Sequence, residues 1–410
     1  MELAIIDFLH ISLSSSCYEN QFPKLRFPEF SEPWQTTRLS EVFHKIIHKN
    51  SDGTVLNVIC NSAKNGLIPQ KEYFDKEIAN SENTFGYYII KTNDFVYNPR
   101  KSIEAPYGPI SRYTYADDGI VSPLYLCFRS NYNVCEKYFE NYFKSSAWHK
   151  YIYMVGDSGA RHDRVSIKDE TFFEMPINLP STNEQEKISA FLSLIDKKIT
   201  VQSAIVENLK KYKRGLMQQY FSSKNSDWNE VPISKIGQVV TGSTPPTSDS
   251  ENYGGVNLFC SPSDVGVEKY ITSTNRRVSE KGFNTGRIIP KGSIIVTCIG
   301  LIGKLGIAQC EMITNQQINS LIVREGFDNE FIYYALEYIF PRYASQASMQ
   351  TLPILSKSEF EKLIILSPEL KRQRQISKPL SILDNYIKTN NSVLCELINY
   401  KNALLQNMFI

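Results

Sequence analysis

The chain has 410 residues, which is enough for two or three domains with buried cores. Its composition is that of an ordinary folded protein, with 42% hydrophobic and 21% charged residues, and its formal net charge is only +2. Such a balance excludes a uniformly basic or acidic protein, so any basic surface must be local and offset by acidic surface elsewhere.

Residues 1–21 form an apolar extension. The stretch MELAIIDFLHISL has no Lys or Arg before its apolar run, is too short to span a bilayer and has no convincing small-residue cleavage site. We expect this extension to be poorly ordered or loosely docked. No other stretch of the sequence qualifies as transmembrane.

Two segments that read as globular domains follow, separated by a helical segment. In both, short β-rich runs alternate with Gly, Pro and Asn turns, and each contains one apolar helical run. The strand runs are 54–60, 85–98, 119–128, 292–300 and 318–324, and the helical runs are 135–146 and 329–340. Each segment therefore predicts an α+β domain around a twisted mixed sheet.

An internal repeat links the segments that follow the two globules. Pro180 to Phe221 aligns without gaps to Pro368 to Phe409, at a constant offset of 188 residues. A tryptophan, an aliphatic residue and a serine that could cap a helix recur upstream of each copy, at 34–40 and 228–234. The chain therefore reads as globule, helix, globule, helix. The pairs of identical residues include Gln185/Gln373, Asp196/Asp384, Lys213/Lys401 and Phe221/Phe409.

Both copies of the repeat predict one long helix. Apolar residues recur at alternating spacings of four and three, which is typical of a coiled-coil seam. Ser181 and Glu184 match a capping box at the start of the first helix, whereas Pro379 predicts a kink or a later start in the second. Gln202 and Asn390 interrupt the two seams at equivalent places near mid-helix. If the helices pair antiparallel about a pseudo-two-fold axis, we expect these two side chains to meet and fix the register.

Sequence motifs of common catalytic and metal centres are absent. There is no CxxC pair and no GxxxxGK[ST] phosphate loop, and the eight single cysteines read as reduced core thiols of a cytosolic protein. Residues 244–247 (TPPT) lack both ends of an amino-methyltransferase motif. Acid-x-Lys runs at 196–198 and 369–371 lie on the predicted helices, not on the paired strands of a nuclease. His44 and His48 have no intervening carboxylate and read as a solvated helix face.

Basic and turn residues cluster instead. Residues 276–304 carry six basic side chains and one acidic side chain, and residues 97–112 and 156–164 form two further basic clusters. Cationic loops with Asn, Gln, Ser and Tyr suit contacts with phosphates and base edges, although any single residue could equally be a solvated loop side chain. The candidate DNA contacts are Tyr97, Asn98, Arg100, Lys101, Arg161, Arg164, Ser243, Thr244, Arg276, Arg277, Lys291 and Lys304.

At this point the sequence resembles a known family, the specificity subunits of type I restriction–modification systems. The resemblance runs from Phe22 to the end of the chain and leaves residues 1–21 outside it. It rests on LPxxxEQEKI at 179–188 and its degenerate copy SPxLKRQRQI at 367–376, each leading into a long helix. The globules contribute GYYIIKTNDFVYNPR (86–100), GIVSPLY (119–125), GSTPPT (242–247), SPSD (261–264), IIPKGSIIV (288–296), IGKLGIA (302–308) and NQQIN (315–319).

The resemblance implies a non-catalytic cytoplasmic subunit that reads a split site in double-stranded DNA. Each globule would be a target-recognition domain, and the antiparallel helices would set the spacer and dock two methyltransferase subunits. Those partners use S-adenosylmethionine to methylate adenine N6, and translocase–endonuclease subunits that use ATP and Mg²⁺ complete the complex. This chain itself would need no cofactor, metal or membrane. The implied layout is an extension (1–21), two recognition domains (22–178 and 227–366) and two spacer helices (179–226 and 367–410).

The sequence leaves two rival functions open. A self-contained methyltransferase or nuclease with an unrecognised active site would modify or cut DNA without partners, which incubating the purified chain with DNA and S-adenosylmethionine tests directly. An adaptor coiled coil without DNA would leave the basic loops unexplained.

Overall fold

A computed structural model describes residues 10–11, 21–73, 84–131, 134–158, 163–222, 228–300, 302–347 and 354–410. The chain divides into two compact units. Unit 1 comprises Met1–Gln202 with Val393–Ile410, and unit 2 comprises Ser203–Ser392. Each unit therefore contains one globule and part of each long helix, so the divisions between compact units fall within the helices.

Unit 1 is built on a four-stranded antiparallel sheet. The strand order is β4 (Phe43–Lys45), β11 (Leu126–Ser130), β8 (Phe95–Tyr97) and β9 (Ile110–Arg112). An aromatic core, to which Phe43, Phe95 and Phe128 contribute, packs against this sheet. The other strands are β1 (His10–Ile11), β2 (Leu25–Arg26), β3 (Gln35–Arg38), β5 (Ile59–Ser62), β6 (Gly66–Pro69), β7 (Tyr88–Ile90), β10 (Gly119–Val121), β12 (Asp157–Ser158), β13 (Val165–Ser166) and β14 (Pro176–Leu179).

The helices of unit 1 are short apart from the long one that follows β14. They are α1 (Leu39–Val42), α2 (Gln70–Tyr73), α3 (Glu136–Lys144), α4 (His149–Val155), α5 (Asp169–Phe173) and α6 (Thr182–Ser222), and the last of these continues into unit 2. The predicted helix at 135–146 is confirmed as α3. His44 and His48 do not form a helix face, because His44 lies in β4 and is paired there with Arg129 of β11.

Unit 2 contains two sheets. One has the order β16 (Gly237–Thr241), β24 (Ile318–Val323), β21 (Ile294–Thr297), β22 (Leu305–Ala308), β18 (Tyr270–Ile271). The other has the order β19 (Arg276–Val278), β17 (Tyr253–Cys260), β23 (Met312–Thr314), β20 (Ile288–Ile289). β18 runs parallel to β22 and β17 parallel to β23, so both sheets are mixed. The remaining elements are β15 (Asn229–Pro232), β25 (Ile364–Ser367), α7 (Ile233–Ile236), α8 (Glu280–Thr285), α9 (Asn329–Ala347), α10 (Lys357–Lys362) and α11 (Leu370–Asn407).

The strands that open and close each globule pair with each other. β3 pairs antiparallel with β14 in unit 1, and β15 pairs antiparallel with β25 in unit 2. In both units the later strand of the pair leads straight into a long helix, α6 or α11. A two-stranded antiparallel sheet therefore joins the beginning and the end of each globule, next to the start of a long helix.

The two long helices run antiparallel. In unit 1 the N-terminal half of α6 packs with the C-terminal half of α11, and Ile188, Leu192 and Leu404 share one core. In unit 2 the C-terminal half of α6 packs with the N-terminal half of α11, and Met217, Ile376 and Leu380 share another. The antiparallel pairing that the resemblance implies is therefore confirmed.

Several local expectations are wrong or only half right. α11 is continuous from Leu370 to Asn407 through Pro379, so the later helix start is wrong. The Ser181 hydroxyl does accept a hydrogen bond from the backbone N–H of Glu184 (3.4 Å), but the Glu184 carboxylate turns away to another partner. Cys310 and Cys395 are exposed, so they are not core thiols.

Candidate nucleic-acid interface

One end of the unit 2 sheets collects most of the residues predicted in the second globule. β16 finishes there opposite the start of β24 (Thr241 opposite Asn319), and β21 finishes there opposite Ile318. We call this the loop end of unit 2, defined by residues 242–247, 261–264, 275–276, 287, 302–304 and 315–317. The pairing of the strands brings these segments together although they are far apart in sequence.

Hydrogen bonds join the loop after β16 to the turn before β24. The Ser243 N–H donates to the Thr314 carbonyl (2.8 Å), and the Thr244 hydroxyl donates to the Gln316 Oε1 atom. Arg287 adds a cation here: its backbone N–H donates to the Ser243 hydroxyl (3.2 Å) and its Nη1 to the Thr241 carbonyl (2.7 Å). Gln316, Arg287 and Thr244 are exposed. Hydrogen-bond donors and acceptors therefore face solvent from loops that hydrogen bonds hold together.

The remaining predicted cations of unit 2 do not all share this end. Arg276 begins β19 opposite Phe259, near the finish of β17, and Lys304 immediately precedes β22; both are exposed at the loop end. Arg277 is also exposed, and its Nη1 donates to the Val256 carbonyl (3.2 Å). Lys291 lies at the opposite end, because it occupies the turn between β20 and β21, where the Gly292 N–H donates to the carbonyl of Ala308 at the end of β22.

Unit 1 has a corresponding loop end at the finish of β8. Arg100 forms a β-bridge with Arg164, and the Lys101 N–H donates to the Asp163 carbonyl (2.8 Å), so both basic clusters of this globule meet. The Arg100 side chain is 68% exposed and its Nε lies 3.8 Å from an Asp163 carboxylate oxygen, so solvent, or a phosphate, can reach the side chain. Arg161 lies outside the described residues.

Two predicted contacts of unit 1 have structural roles in the globule. Tyr97 is wrong as a DNA contact: its side chain is 1% exposed, its ring stacks on Phe172, and its hydroxyl donates to the Tyr107 carbonyl. Burial raises the pKa of Tyr97 well above its usual value. Asn98 is half-buried and ties the loop together, because its Nδ2 donates to the Asn61 carbonyl (3.0 Å) and its Oδ1 accepts the Arg100 N–H (3.1 Å).

The repeat places one ion pair between the helices in each unit. Asp196 of α6 pairs with Lys401 of α11 in unit 1, and their repeat counterparts, Asp384 and Lys213, pair at 2.8 Å in unit 2. In unit 2 the pair belongs to a larger network, because the Lys269 Nζ lies 3.7 Å from the Asp384 carboxylate and Lys213 also bonds a glutamate of α9. The antiparallel register is therefore marked by charge as well as by the apolar seam.

Gln202 and Asn390 belong to different units, so the contact between them stays a prediction. Both side chains are half-buried, and the Asn390 Nδ2 donates to the Tyr386 carbonyl one turn earlier (2.8 Å).

Gln316 and Arg287 are candidate contacts that sequence reasoning missed. The sequence signal for Arg287 is its place in the basic cluster at 276–304, where no feature separates it from its neighbours. Gln316 lies in the run NQQIN (315–319) that contributes to the family resemblance, but nothing in that run marks it as a DNA contact. Both become candidates only when the strand pairing brings their segments to the loop end.

No helix in the part of the chain that the structure describes is long and apolar enough to cross a membrane. Within the same residues, no group of three or more His, Cys, Asp or Glu side chains is arranged to hold a metal ion.

Known structures share this fold. The chain superposes with a TM-score of 0.59 on the S subunit of a type I restriction–modification system from M. genitalium, at 15% identity over 95% of this chain and 99% of that one. A second chain, from a study of complex assembly and conformational transition of the type I R-M system, gives a TM-score of 0.60 at 15% identity over 91% and 96%.

Curated relatives and a family model agree with the fold. The MjaX specificity subunit of Methanocaldococcus jannaschii, named a putative type I restriction enzyme subunit, is 22% identical over 90% of this chain and 91% of its own. The MjaIX specificity subunit of the same organism is 31% identical, but the match spans only 45% of this chain and 44% of that protein. The model of the type I restriction modification DNA specificity domain matches twice, at residues 31–211 and 225–398. The chain therefore belongs to the type I restriction–modification DNA specificity family and is a non-catalytic specificity subunit with two recognition domains.

Proposed function

We propose that each unit reads one half of a bipartite site in double-stranded DNA through its loop end. The observation that carries this proposal is the convergence of exposed cations and hydrogen-bonding side chains on one end of each unit. Arg276, Arg287 and Lys304 supply positive charge in unit 2, and Arg100 does so in unit 1. Cations fix a protein on the phosphate backbone, and the polar groups between them are free to read base edges.

A salt titration of DNA affinity tests the placement of this surface. We expect the change of Arg276 and Arg277 to Ala to reduce the slope of log affinity against log salt, by about 1 for each phosphate that the variant no longer neutralises. Lys291→Ala is the matched control, because Lys291 is an exposed cation of the same unit at the opposite end, and its slope should equal the wild-type slope. An unchanged slope in the double variant would remove Arg276 and Arg277 from the DNA interface, and an equal reduction in the control would contradict a DNA surface confined to the loop end.

The chemistry on DNA is assigned to partner subunits. In this proposal methyltransferase subunits supply S-adenosylmethionine-dependent methylation of adenine N6 and translocase–endonuclease subunits use ATP and Mg²⁺, all in the cytoplasm. The role of this chain is to hold the DNA so that an adenine can leave the base stack in the partner's active site. The purified chain alone should therefore neither methylate nor cut DNA.

Exposed apolar side chains on the helices support docking of two equivalent partners. Leu194 of α6 is 56% exposed and its repeat counterpart Ile382 of α11 is 49% exposed; Ile205 and Val393 form a second such pair, at 40% and 39%. Apolar residues of a helix normally face a core, so matched exposure at repeat-related positions indicates two copies of one docking patch.

Native mass spectrometry of the assembled complex tests the docking patches. Leu194→Glu should remove one methyltransferase copy and Ile382→Glu the other, while both together should abolish assembly. Lys211→Glu, a new acid at an exposed polar position of α6, is the control. Retention of two copies in the double variant would place the docking surface elsewhere.

A further inference from the structure

A short segment of the unit 2 globule lies against α11 beyond their shared apolar core. The last residue that α11 contributes to the described core of unit 2 is Leu380. Residues 268–270, which run into β18 and which we call the contact segment, bond the following turns of α11 through polar groups. Ser381, Asp384 and Lys388 face the globule there on one side of the helix, because they are spaced three and four residues apart.

The outer part of this contact is an ion pair. The Lys388 Nζ donates to the Glu268 carboxylate at 2.7 Å, and the two side chains are 63% and 52% exposed. Solvent screens such a pair, so it contributes little to stability. It does join the contact segment directly to the helix.

The inner part of the contact is centred on Lys269, whose side chain is only 9% exposed. Its Nζ donates to the Tyr334 hydroxyl (2.7 Å) and to the Ser381 hydroxyl (3.0 Å), and it pairs with the Glu330 carboxylate. An ammonium group has three hydrogens to donate, and here it has a partner for each. Glu330 and Tyr334 belong to α9 of the globule, whereas Ser381 belongs to α11.

Tyr270 and Asp384 complete this network. Burial raises the pKa of Tyr270 to about 12, so its hydroxyl keeps its proton and donates to the Glu330 carboxylate at 2.7 Å. The Tyr334 hydroxyl donates to Asp384, which also pairs with Lys213 of α6 at 2.8 Å. The network therefore joins the globule to both long helices within unit 2. A shifted globule would leave buried charges unpaired, so the network favours one arrangement.

The globule is thus attached to α11 at two places along the helix. The stem of β15 and β25 lies next to the helix start at Leu370, and the polar contact at 381–388 lies roughly 17–27 Å further along, at ~1.5 Å per residue. Two separated attachments fix an angle that one alone leaves free. For a domain of this size, a tilt of about 10° moves a loop end ~20 Å away by about 3.5 Å, or about one base pair.

We propose that Glu268, Lys269 and Tyr270 form a positioning element, which fixes the angle of the unit 2 globule on α11 and so narrows the range of spacer lengths accepted between the two half-sites. These residues act through the place of the loop end and touch no base. Control of the spacer is thereby shared between the helices and a globule. The inference rests on the proposed function, because a spacer exists only if both units read DNA.

DNA binding by the complex of this chain with its methyltransferase partner tests the outer ion pair. Selection from a randomised duplex library gives the preferred spacer, and affinities are then measured for duplexes with the same half-sites and a spacer one base pair shorter or longer. Glu268→Lys should reduce the preference for the wild-type spacer by roughly 2- to 5-fold, because like charges then face each other. Adding Lys388→Glu should restore it. Glu251→Lys is the control, since it reverses an exposed charge that pairs with Lys281 inside the globule, and the spacer preference should stay unchanged.

Tyr270→Phe tests the buried part of the contact in the same assay. It keeps the ring and removes the hydroxyl that donates to Glu330, and hydrogen bonds to charged groups are the stronger ones. We expect the spacer preference to fall by roughly 10-fold while the base preferences within each half-site stay the same. Tyr151→Phe is the matched control, because it removes a hydroxyl that donates to the Thr171 carbonyl (2.7 Å) within the unit 1 globule.

The outcomes separate this inference from the function on which it rests. A wild-type complex that selects no bipartite motif overturns the proposed function. A wild-type complex with a fixed spacer that Glu268→Lys and Tyr270→Phe leave unchanged, or that the controls relax equally, overturns the positioning element. A charge-swapped variant as relaxed as Glu268→Lys overturns the role of the ion pair, and altered base preferences in Tyr270→Phe overturn an action through position alone.

Discussion

A buried ion pair holds the start of α6 against β2. The Arg26 Nε and Nη2 atoms donate to the two Glu184 carboxylate oxygens at 2.7 and 2.8 Å, and the Trp34 indole N–H donates to the same carboxylate at 3.3 Å. The side chains of Arg26 and Glu184 are only 7% and 1% exposed. We predict that Glu184→Ala destabilises unit 1 severely, because it leaves a guanidinium buried without its counter-ion.

The expected magnitude follows from this geometry. Removing one partner of a buried pair costs about 3–5 kcal/mol, whereas replacing both partners by apolar residues of similar size is often nearly neutral. Glu184→Ala should therefore lower the free energy of unfolding of unit 1 by about that amount, and Arg26→Met with Glu184→Leu should recover most of it. The repeat supplies a matched control: Arg372 is the counterpart of Glu184 but is exposed, so Arg372→Ala should change stability by less than about 0.5 kcal/mol.

Hydrogen exchange measured by mass spectrometry suits a chain with two units, because each reports its own opening. Peptides from β3, β14 and the start of α6 should exchange faster in Glu184→Ala, while unit 2 peptides serve as an internal reference. An equal cost for Glu184→Ala and Arg372→Ala would refute the role of the buried charge. A double variant as unstable as the single one would refute the counter-ion explanation.

Four other features of the chain can be tested by substitution or exchange. In the same hydrogen-exchange measurement, Asp384→Asn should destabilise unit 2 more than Asp196→Asn destabilises unit 1. Asp384 faces Lys213 and Lys269, whose side chains are only 13% and 9% exposed. Asp196 is itself 35% exposed and pairs with Lys401 alone among the described ion pairs. Burial alone would raise the pKa of Glu140, but the neighbouring cations Lys144, Lys137 and Arg112 outweigh it and lower the pKa from 4.5 to about 2. The charged carboxylate therefore stabilises unit 1 above pH 4.5, and this contribution is lost as the pH falls towards 2. In acid unfolding, the stability lost in Glu140→Gln should be on the order of 3 kcal/mol at pH 7 and should shrink between pH 4.5 and 2. Changing Gln202 and Asn390 to Leu should raise the melting temperature yet loosen the spacer requirement for DNA, and cysteines at the two positions should form a disulfide in a background without other cysteines; no cross-link would refute their contact. Exchanging residues 228–366 for the segment of a relative should alter one half-site in methylome sequencing, and a change in both halves would contradict independent readers.

The sequence predicts the framework well because the repeat and the apolar periodicity are local signals. Identical residues 188 apart identify α6 and α11, and the alternating seam gives their helical state. The ion pairs of Asp196 and Asp384 could not be derived in the same way, since identity within a repeat does not name a partner. Glu184 illustrates the limit: its spacing from Ser181 matches a capping box, but a distant arginine competes successfully for its carboxylate.

The candidate site is predictable in kind but not residue by residue. Tyr97 adjoins a basic run, which favours a loop, yet all three residues of β8 are buried, so no alternation of polar and apolar residues marks its strand. Lys291 lies close to Arg276 in sequence, although β20, which runs between them, carries it to the other end of the sheet. Gln316 becomes a candidate only when the pairing of β16 with β24 brings its turn next to the loop that contains Thr244.

Unit 1 is formed from two chain segments, Met1–Gln202 and Val393–Ile410, and this affects its folding during synthesis. Its core contains Leu404, Leu405, Met408 and Phe409, and the centroid of the Phe409 ring lies 5.2 Å from that of Tyr138. These residues are translated after the whole of unit 2. The first globule to leave the ribosome therefore cannot complete its core until they have been made. At about 5–20 residues per second the delay is roughly 10–40 s. The residues of unit 2 are contiguous from Ser203 to Ser392, so unit 2 can complete its core before unit 1 does. In that interval the aromatic side chains around Tyr138 and Tyr142 lack part of their packing and can bind chaperones or pack incorrectly.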